Sequence, residues 1–255
     1  MIISHKNRYL FIEIPLTASW AIRHELLDCY DGETILHKHA SYPEFDRIAS
    51  PDEKNFFTFA AIRNPLDTAV SNYFKLKTNH KGAFTDPQAL ELDLVDKSDI
   101  EKYRFIQEKD ADFDAFFIRY FRRPYANMID NSAPNLDYVI RYEDLQAGFS
   151  EVLRLLNLAQ VRPIPVMNKT QIREDDWQTY YGPPSIESAK RNFGPFMRRW
   201  EYSFPPEWGQ VEISPLDEFR YKALAQARKL FLTQIRYNSG IIGRSIRSAR
   251  AVLIR

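Results

Sequence analysis

Two short segments of this sequence carry residue types suited to holding a phosphate group. The first follows the apolar run 9–14, breaks at Pro15 and continues with small residues before a helical pattern begins. A turn of this kind directs backbone N–H groups and the positive end of a helix dipole toward an anion. The residues that would form the anion contacts are Thr17, Ala18, Ser19 and Trp20.

The second segment pairs another apolar run, 56–62, with an arginine. Arg63 ends the run ahead of an Asn-Pro turn, and Ser71 follows on the helical pattern beyond that turn. A guanidinium and a hydroxyl can hold a phosphate through charge-assisted hydrogen bonds, so this segment predicts a second phosphate contact. The alternative is that Arg63 forms a structural ion pair with a carboxylate such as Asp67.

His37 and His39 lie between these two segments. A neutral imidazole can accept a proton near physiological pH, so a histidine placed beside a bound anion is a candidate general base. The alternative is a surface histidine that has no chemical role. None of the five histidines has carboxylate or cysteine partners at metal-ligand spacing, and the sequence therefore predicts no metal site.

These residues resemble the cofactor site of sulfotransferases that use 3'-phosphoadenosine 5'-phosphosulfate (PAPS), especially the polysaccharide 2-O-sulfotransferase branch. In that family a loop of the type Pro-Lys-Thr-Ala-Ser-Thr-Ser holds the 5'-phosphosulfate. An Arg-(Asn/Asp)-Pro motif, with a serine at the spacing seen here, holds the 3'-phosphate. The second motif is intact in this chain. In the first, Leu16 replaces the family's lysine, Trp20 its threonine and Ala21 the following serine.

The resemblance extends over about residues 8–208. His39 falls where the 2-O branch places the histidine that deprotonates the acceptor hydroxyl. The segment 138–145, which contains Arg-Tyr-Glu-Asp-Leu, is similar to a late strand of the family, and 168–170 is similar to its Asn-Lys-Ser/Thr loop.

The resemblance implies a P-loop-type three-layer α/β fold, in which helices flank a central parallel sheet. It also implies transfer of a sulfuryl group from PAPS to a hydroxyl of a carbohydrate or related small acceptor, without a metal. His39 would be the catalytic base. The cofactor contacts would be Thr17, Ala18, Ser19, Trp20, Arg63 and Ser71.

Two other functions are weighed against this one. A catalytically silent relative that binds a nucleotide or glycan is suggested by Leu16, because leucine offers neither charge nor hydrogen bond to the transferring group. A nucleotide kinase would share the architecture, but no Gly-Lys-Ser/Thr follows any apolar run.

Composition limits the partners. The 35 basic and 34 acidic residues nearly cancel, so net charge does not indicate a nucleic-acid partner.

Residues 228–255 carry seven basic residues and no acidic one, and they follow an α/β domain expected over 1–227. This tail is interpreted either as a docked helix with a basic face or as a segment that contacts a membrane or polyanion. With one cysteine, no leader pattern and no long apolar run, a cytoplasmic location is expected.

Hydrophobic patterning predicts strands over 9–14, 56–62 and 136–141. It predicts helices over 18–30, 66–77, 113–121 and 149–158, and the alternation of the two types favours a parallel sheet. The polar stretch 79–112 is interpreted as an insertion, either a lid or a solvated helical excursion. No regular period is found in 175–206.

Overall fold

The structure is a computed structural model that describes residues 1–92, 95–166 and 176–230. The strands are β1 (Ile2–Ser4), β2 (Tyr9–Ile12), β3 (Glu33–Thr34), β4 (Phe57–Ile62) and β5 (Tyr138–Arg141). The helices are α1 (Ser19–Cys29), α2 (Tyr42–Asp46), α3 (Pro65–Lys77), α4 (Pro87–Glu91), α5 (Lys97–Lys109), α6 (Phe113–Tyr120), α7 (Ile129–Ser132), α8 (Leu145–Leu155), α9 (Pro183–Arg199) and α10 (Pro215–Leu230).

These elements fall into two compact units. The first comprises the described parts of Met1–Arg63, Ala126–Met167 and Phe219–Arg255, and it contains the sheet. The second comprises the described parts of Asn64–Tyr125 and Asn168–Glu218 and is helical.

The sheet of the first unit has the strand order β3-β1-β2-β4-β5. Strands β2, β4 and β5 are parallel, with Phe11 opposite Phe59 and Phe59 opposite Tyr138. The three predicted strands are therefore confirmed, and they form the parallel part of the sheet. Strand β1 runs antiparallel to both β2 and β3.

The expectation of a parallel sheet throughout is therefore corrected, since the sheet is mixed. The reason is local: a connection of only four residues joins β1 to β2, and so short a link permits antiparallel neighbours alone. The fold is α/β, with a five-stranded mixed sheet flanked by helices.

One face of this sheet is covered by α1 and α8. Strand side chains such as Phe11 and Phe59 pack in one buried cluster with Ile22 of α1 and Val152 of α8. Gly148 allows α8 to approach β5, because a Cβ atom at this position would lie 2.9 Å from Cγ2 of Ile140. This packing fixes the ends of β2, β4 and β5, where the candidate site residues lie.

The second unit has an aromatic core formed mainly by α3, α6 and α9. Tyr73, Phe116, Phe117 and Phe193 are almost fully buried in it. The buried hydroxyl of Tyr73 donates to the carbonyl of Ala111 at 2.8 Å, which satisfies a polar group within an apolar interior.

Two sequence interpretations of this unit need revision. The stretch 175–206, in which no period was found, contains the 17-residue helix α9. Pro195 lies inside that helix, and an interior proline is ordinarily a signal that a helix has ended. The insertion 79–112 forms α4 and α5, and its Phe84 and Ile106 are buried in the core of the unit, so it is not merely a solvated excursion.

The basic tail lies almost entirely outside the described residues. Only its beginning belongs to α10, which ends at Leu230. Both interpretations of the tail therefore remain predictions. In the described part of the chain, no helix combines the length and the apolar character needed to cross a bilayer.

Gly148→Ala should lower the free energy of unfolding by about 1–3 kcal/mol, because the new methyl group overlaps Ile140. Urea denaturation measures this effect. In an Ile140→Ala background the same substitution should cost clearly less, since the clashing atom is gone. Equal costs in the two backgrounds would contradict the close approach of α8 to β5.

Candidate active site

The loop between β2 and α1, residues 13–18, is the centre of the candidate site. Leu16 and Ala18 have φ angles of 64° and 58°, whereas Thr17 between them does not have a positive φ. Left-handed backbone costs a residue with a side chain roughly 1–2 kcal/mol. Alternating backbone handedness of this kind turns successive N–H groups toward one concave side, which is a geometry that binds anions.

Side-chain contacts hold this loop in place. Thr17 is buried, and its hydroxyl donates to the carbonyl of Ile14 at 2.8 Å. This bond joins the end of β2 to the turn that precedes α1. Thr17 therefore stabilises the loop from within, and its hydroxyl is engaged with the backbone.

The N-terminus of α1 begins directly after the loop. The helix has no side-chain cap and no acidic residue in its first turn. The first N–H groups of a helix have no acceptor within it, so Ser19 and Trp20 present amides at the positive end of the helix dipole. This arrangement suits a bound anion.

Trp20 does not pack into the core. Its side chain is 37% exposed. The ring of His24 meets it edge-on, with centroids 4.5 Å apart, and Nζ of Lys38 lies 4.5 Å from its centre. Lys38 thus brings a positive charge to the first turn of α1. The sequence offers Lys38, Arg23 and Lys169 as candidates to replace the lysine absent at position 16, and Lys38 is the one found beside Trp20.

His39 is attached to the start of the same loop. Its Nδ1 lies 2.8 Å from the carbonyl oxygen of Glu13. A carbonyl can only accept, so Nδ1 carries the hydrogen and Nε2 of the neutral ring keeps its lone pair. Burial lowers the pKa of His39 below its ordinary value, which favours the neutral form. The ring therefore has the tautomer that a general base needs.

His37 is engaged elsewhere. Its Nε2 lies 3.0 Å from Oε1 of the buried Glu44, and that carboxylate also accepts hydrogen bonds from the backbone and hydroxyl of Ser41. Of the two histidines, His39 is the one that contacts the β2–α1 loop.

Beneath the loop lies a buried carboxylate. Glu13 is fully buried, and it accepts hydrogen bonds from the amino group of Met1 and from Nη1 of Arg23, the latter at 2.8 Å. The other arm of Arg23 donates to the hydroxyl of Thr34 at 2.8 Å. Arg23 is therefore engaged in this network, which makes it a poor replacement for the lysine that is absent at position 16.

Arg63 reaches the loop from the end of β4. Its Nη1 lies 3.3 Å from the carbonyl oxygen of Leu16, and its guanidinium carbon lies 4.2 Å from the centre of the Tyr142 ring. Strands β4 and β5 are parallel, so their ends place Ile62 opposite Arg141 and bring Tyr142 close to Arg63. The structure therefore brings together the β2–α1 loop, His39 and Arg63.

Ser71 lies in α3 of the second unit, where its side chain is buried. Its participation in a site with Arg63 stays a prediction, as does the alternative pairing of Arg63 with Asp67. The Asn-Lys-Thr segment 168–170 lies outside the described residues.

Sequence reasoning did not identify Tyr142, in the Arg-Tyr-Glu-Asp-Leu motif, as a site residue. The available signal was that this motif follows a strand, and residues after neighbouring parallel strands meet at one sheet edge.

Comparisons with models of known families, with curated proteins and with solved structures found no match. Over the part of the chain that the structure describes, no group of three or more His, Cys, Asp or Glu side chains could hold a metal ion.

Ala18→Gly should raise the free energy of unfolding by about 0.5–1 kcal/mol, because glycine adopts positive φ without steric strain. Thermal and urea denaturation measure the change. The control is Ala223→Gly in α10, where the same substitution of an exposed helical alanine should cost about 1 kcal/mol. A loss of stability at both positions would contradict the loop conformation.

Protonation of His39 should destabilise the fold, because its native pKa is lowered while the unfolded chain keeps the ordinary value. The unfolded state then binds the proton more readily, so stability is full above the ordinary pKa and is lost as pH falls below it. Between about pH 7 and pH 5, the wild type should lose more free energy of unfolding than His39→Gln. Nitrogen NMR shifts should show hydrogen on Nδ1. A native pKa above the ordinary value would overturn this assignment.

Proposed function

We propose that this protein transfers a sulfuryl group from PAPS to a hydroxyl of a carbohydrate or related small acceptor. The observation that carries the proposal is that Arg63 contacts the carbonyl of Leu16, and His39 that of Glu13, in the loop that leads into the uncapped N-terminus of α1. Anion-binding amides, a guanidinium and a neutral imidazole are the groups that this chemistry needs.

Each part of the site has a role in this proposal. The amides of the β2–α1 loop and of the first turn of α1 would bind the 5'-phosphosulfate. Arg63, held against the ring of Tyr142, would bind the 3'-phosphate. Nε2 of His39 would take the proton of the acceptor hydroxyl as its oxygen bonds to sulfur and the bond from sulfur to the leaving phosphate breaks.

Leu16 raises the question of which cation stabilises the charge that develops on the leaving phosphate. Arg23 is engaged with Glu13 and Thr34, and Lys169 lies outside the described residues. Lys38 is the described cation beside Trp20 in the first turn of α1. We assign to Lys38 the electrostatic role that a loop lysine would otherwise have.

A catalytically silent protein that binds a nucleotide or glycan is the second candidate, and Leu16 favours it. Backbone amides bind an anion whatever the side chains are, so binding can persist without turnover. Binding of the product nucleotide without sulfuryl transfer to any acceptor would support this candidate. Preference for ATP with magnesium would support a kinase instead.

Titration with 3'-phosphoadenosine 5'-phosphate tests the binding site directly. Arg63→Gln should weaken the affinity by about tenfold or more, because a hydrogen bond to a charged group is worth about 1.5–3 kcal/mol. Isothermal titration calorimetry measures this affinity. The matched control is Arg8→Gln in the same unit, an exposed arginine that is paired with Asp52 and should leave the affinity unchanged. Equal affinities of wild type and Arg63→Gln would overturn the site.

The role of Lys38 can be tested with a double-mutant cycle. Lys38→Gln should lower the rate of transfer from PAPS by about tenfold to a hundredfold, as expected for loss of an electrostatic donor. Leu16→Lys should raise transfer and should restore it in the Lys38→Gln background. The control is Lys54→Gln, which removes a cation paired with Asp46. If Lys38→Gln and Lys54→Gln have equal rates, Lys38 has no such role.

A further inference from the structure

The second unit contains a groove of about 660 Å³ lined by α5 and α6, and four cationic side chains border it. They are Lys97, Arg104, Lys109 and Arg119. Among the described residues, Arg104, Lys109 and Arg119 have no carboxylate partner. Cations that are not neutralised within the protein give the groove a positive field, which attracts an anionic ligand.

Two aromatic rings support one of these cations. The guanidinium carbon of Arg119 lies 4.6 Å from the centre of the Phe105 ring and 5.6 Å from that of Tyr120. A guanidinium that stacks on a ring keeps its in-plane N–H donors directed away from that ring. The guanidinium of Arg119 has the donors to form two parallel hydrogen bonds to a phosphate, sulfate or carboxylate.

Tyr120 also lines this groove. Its hydroxyl oxygen is buried and has no hydrogen-bond partner among the described residues. A buried hydroxyl without a partner costs about 1–3 kcal/mol, so such a group is usually satisfied by a ligand, water or ion.

Carboxylates complete the lining. Glu101 and Glu108 lie on the same helix as Arg104, and a carboxylate can accept hydrogen bonds from the hydroxyls of a sugar. Alternating charges along a helix are also typical of a solvated surface. The cations without partners and the buried hydroxyl distinguish this groove from such a surface.

We propose that the α5–α6 groove binds a phosphorylated sugar, either by itself or as part of a nucleotide. The cations would hold the phosphate, the carboxylates would accept from the sugar hydroxyls, and the rings would form the apolar floor. The volume is within the range of sites for ligands of this size. The proposal concerns the second unit alone and does not depend on the proposed transferase activity.

Calorimetric titrations of the full chain with ribose 5-phosphate, AMP, adenosine and inorganic phosphate test the proposal. Binding at the β2–α1 loop is distinguished from binding at this groove by a variant with Arg104→Gln and Arg119→Gln, which leaves the amides of that loop unchanged. Ribose 5-phosphate should bind saturably, and adenosine should bind at least tenfold more weakly than AMP. Equal affinities for ribose 5-phosphate and AMP would identify the sugar phosphate as the ligand, whereas tighter binding of AMP would identify a nucleotide.

Arg104→Gln combined with Arg119→Gln should weaken binding of ribose 5-phosphate and of AMP by at least tenfold. The control is Arg154→Gln in α8, an exposed arginine paired with Glu151, which should leave both affinities unchanged. Tyr120→Phe removes the hydroxyl but keeps the ring, and it should weaken binding less than the double substitution. Circular dichroism verifies that each variant is folded.

Three results would overturn the proposal. One is the absence of saturable binding by both ribose 5-phosphate and AMP. Another is inorganic phosphate binding as tightly as ribose 5-phosphate, which would show an adventitious ion only. The third is unchanged affinity in the folded Arg104→Gln, Arg119→Gln variant.

Discussion

The backbone conformation of the β2–α1 loop is the constraint on which the candidate site depends. Two residues with side chains, Leu16 and Ala18, are held in left-handed conformation, and three side chains bond to carbonyls of the loop or its ends. Thr17 bonds to Ile14, Arg63 to Leu16 and His39 to Glu13. These bonds engage the carbonyls, so the loop offers its amides to an anion. These hydrogen bonds offset the backbone strain at Leu16 and Ala18, and they also position Arg63 and His39.

The charged groups around this loop lie at two depths below the protein surface. Buried Glu13 is neutralised from within by Arg23 and the amino group of Met1, so its negative charge does not oppose an anion at the loop. Arg63 and Lys38 contribute positive charge nearer the surface, each against an aromatic ring. Contact with a ring limits the conformations of a long cationic side chain, and less entropy is then lost when a ligand binds. The same kind of contact between a cation and an aromatic ring occurs in the second unit, where Arg119 lies against Phe105.

In the proposed site, Leu16 would contribute to binding through its backbone and would contribute nothing to catalysis through its side chain. Its backbone carbonyl anchors Arg63 and its φ angle shapes the loop, whereas its side chain contributes no charge. In the proposed function, binding of a nucleotide would depend on the first two properties, and rapid transfer would depend on a cation close to the leaving phosphate. Lys38 can meet that need because the segment before His39 passes the first turn of α1.

The sequence by itself determined the parts that depend on local pattern. Strands β2, β4 and β5 are short apolar runs, α1 follows a turn that contains Pro15, and α3 begins at Pro65, so each could be located from its own residues. The choice of His39, Arg63 and the loop also followed from residue types and their spacing.

Strands β1 and β3 were missed because they are short and are stabilised by pairing with each other. Helix α9 was missed because tertiary packing of its aromatic residues outweighs its interior proline. Only the tertiary structure decided that the sheet is mixed, that His39 carries hydrogen on Nδ1, and that Tyr142 lies against Arg63 and Lys38 against Trp20. These features arise from contacts between residues far apart in the chain, which no local pattern encodes.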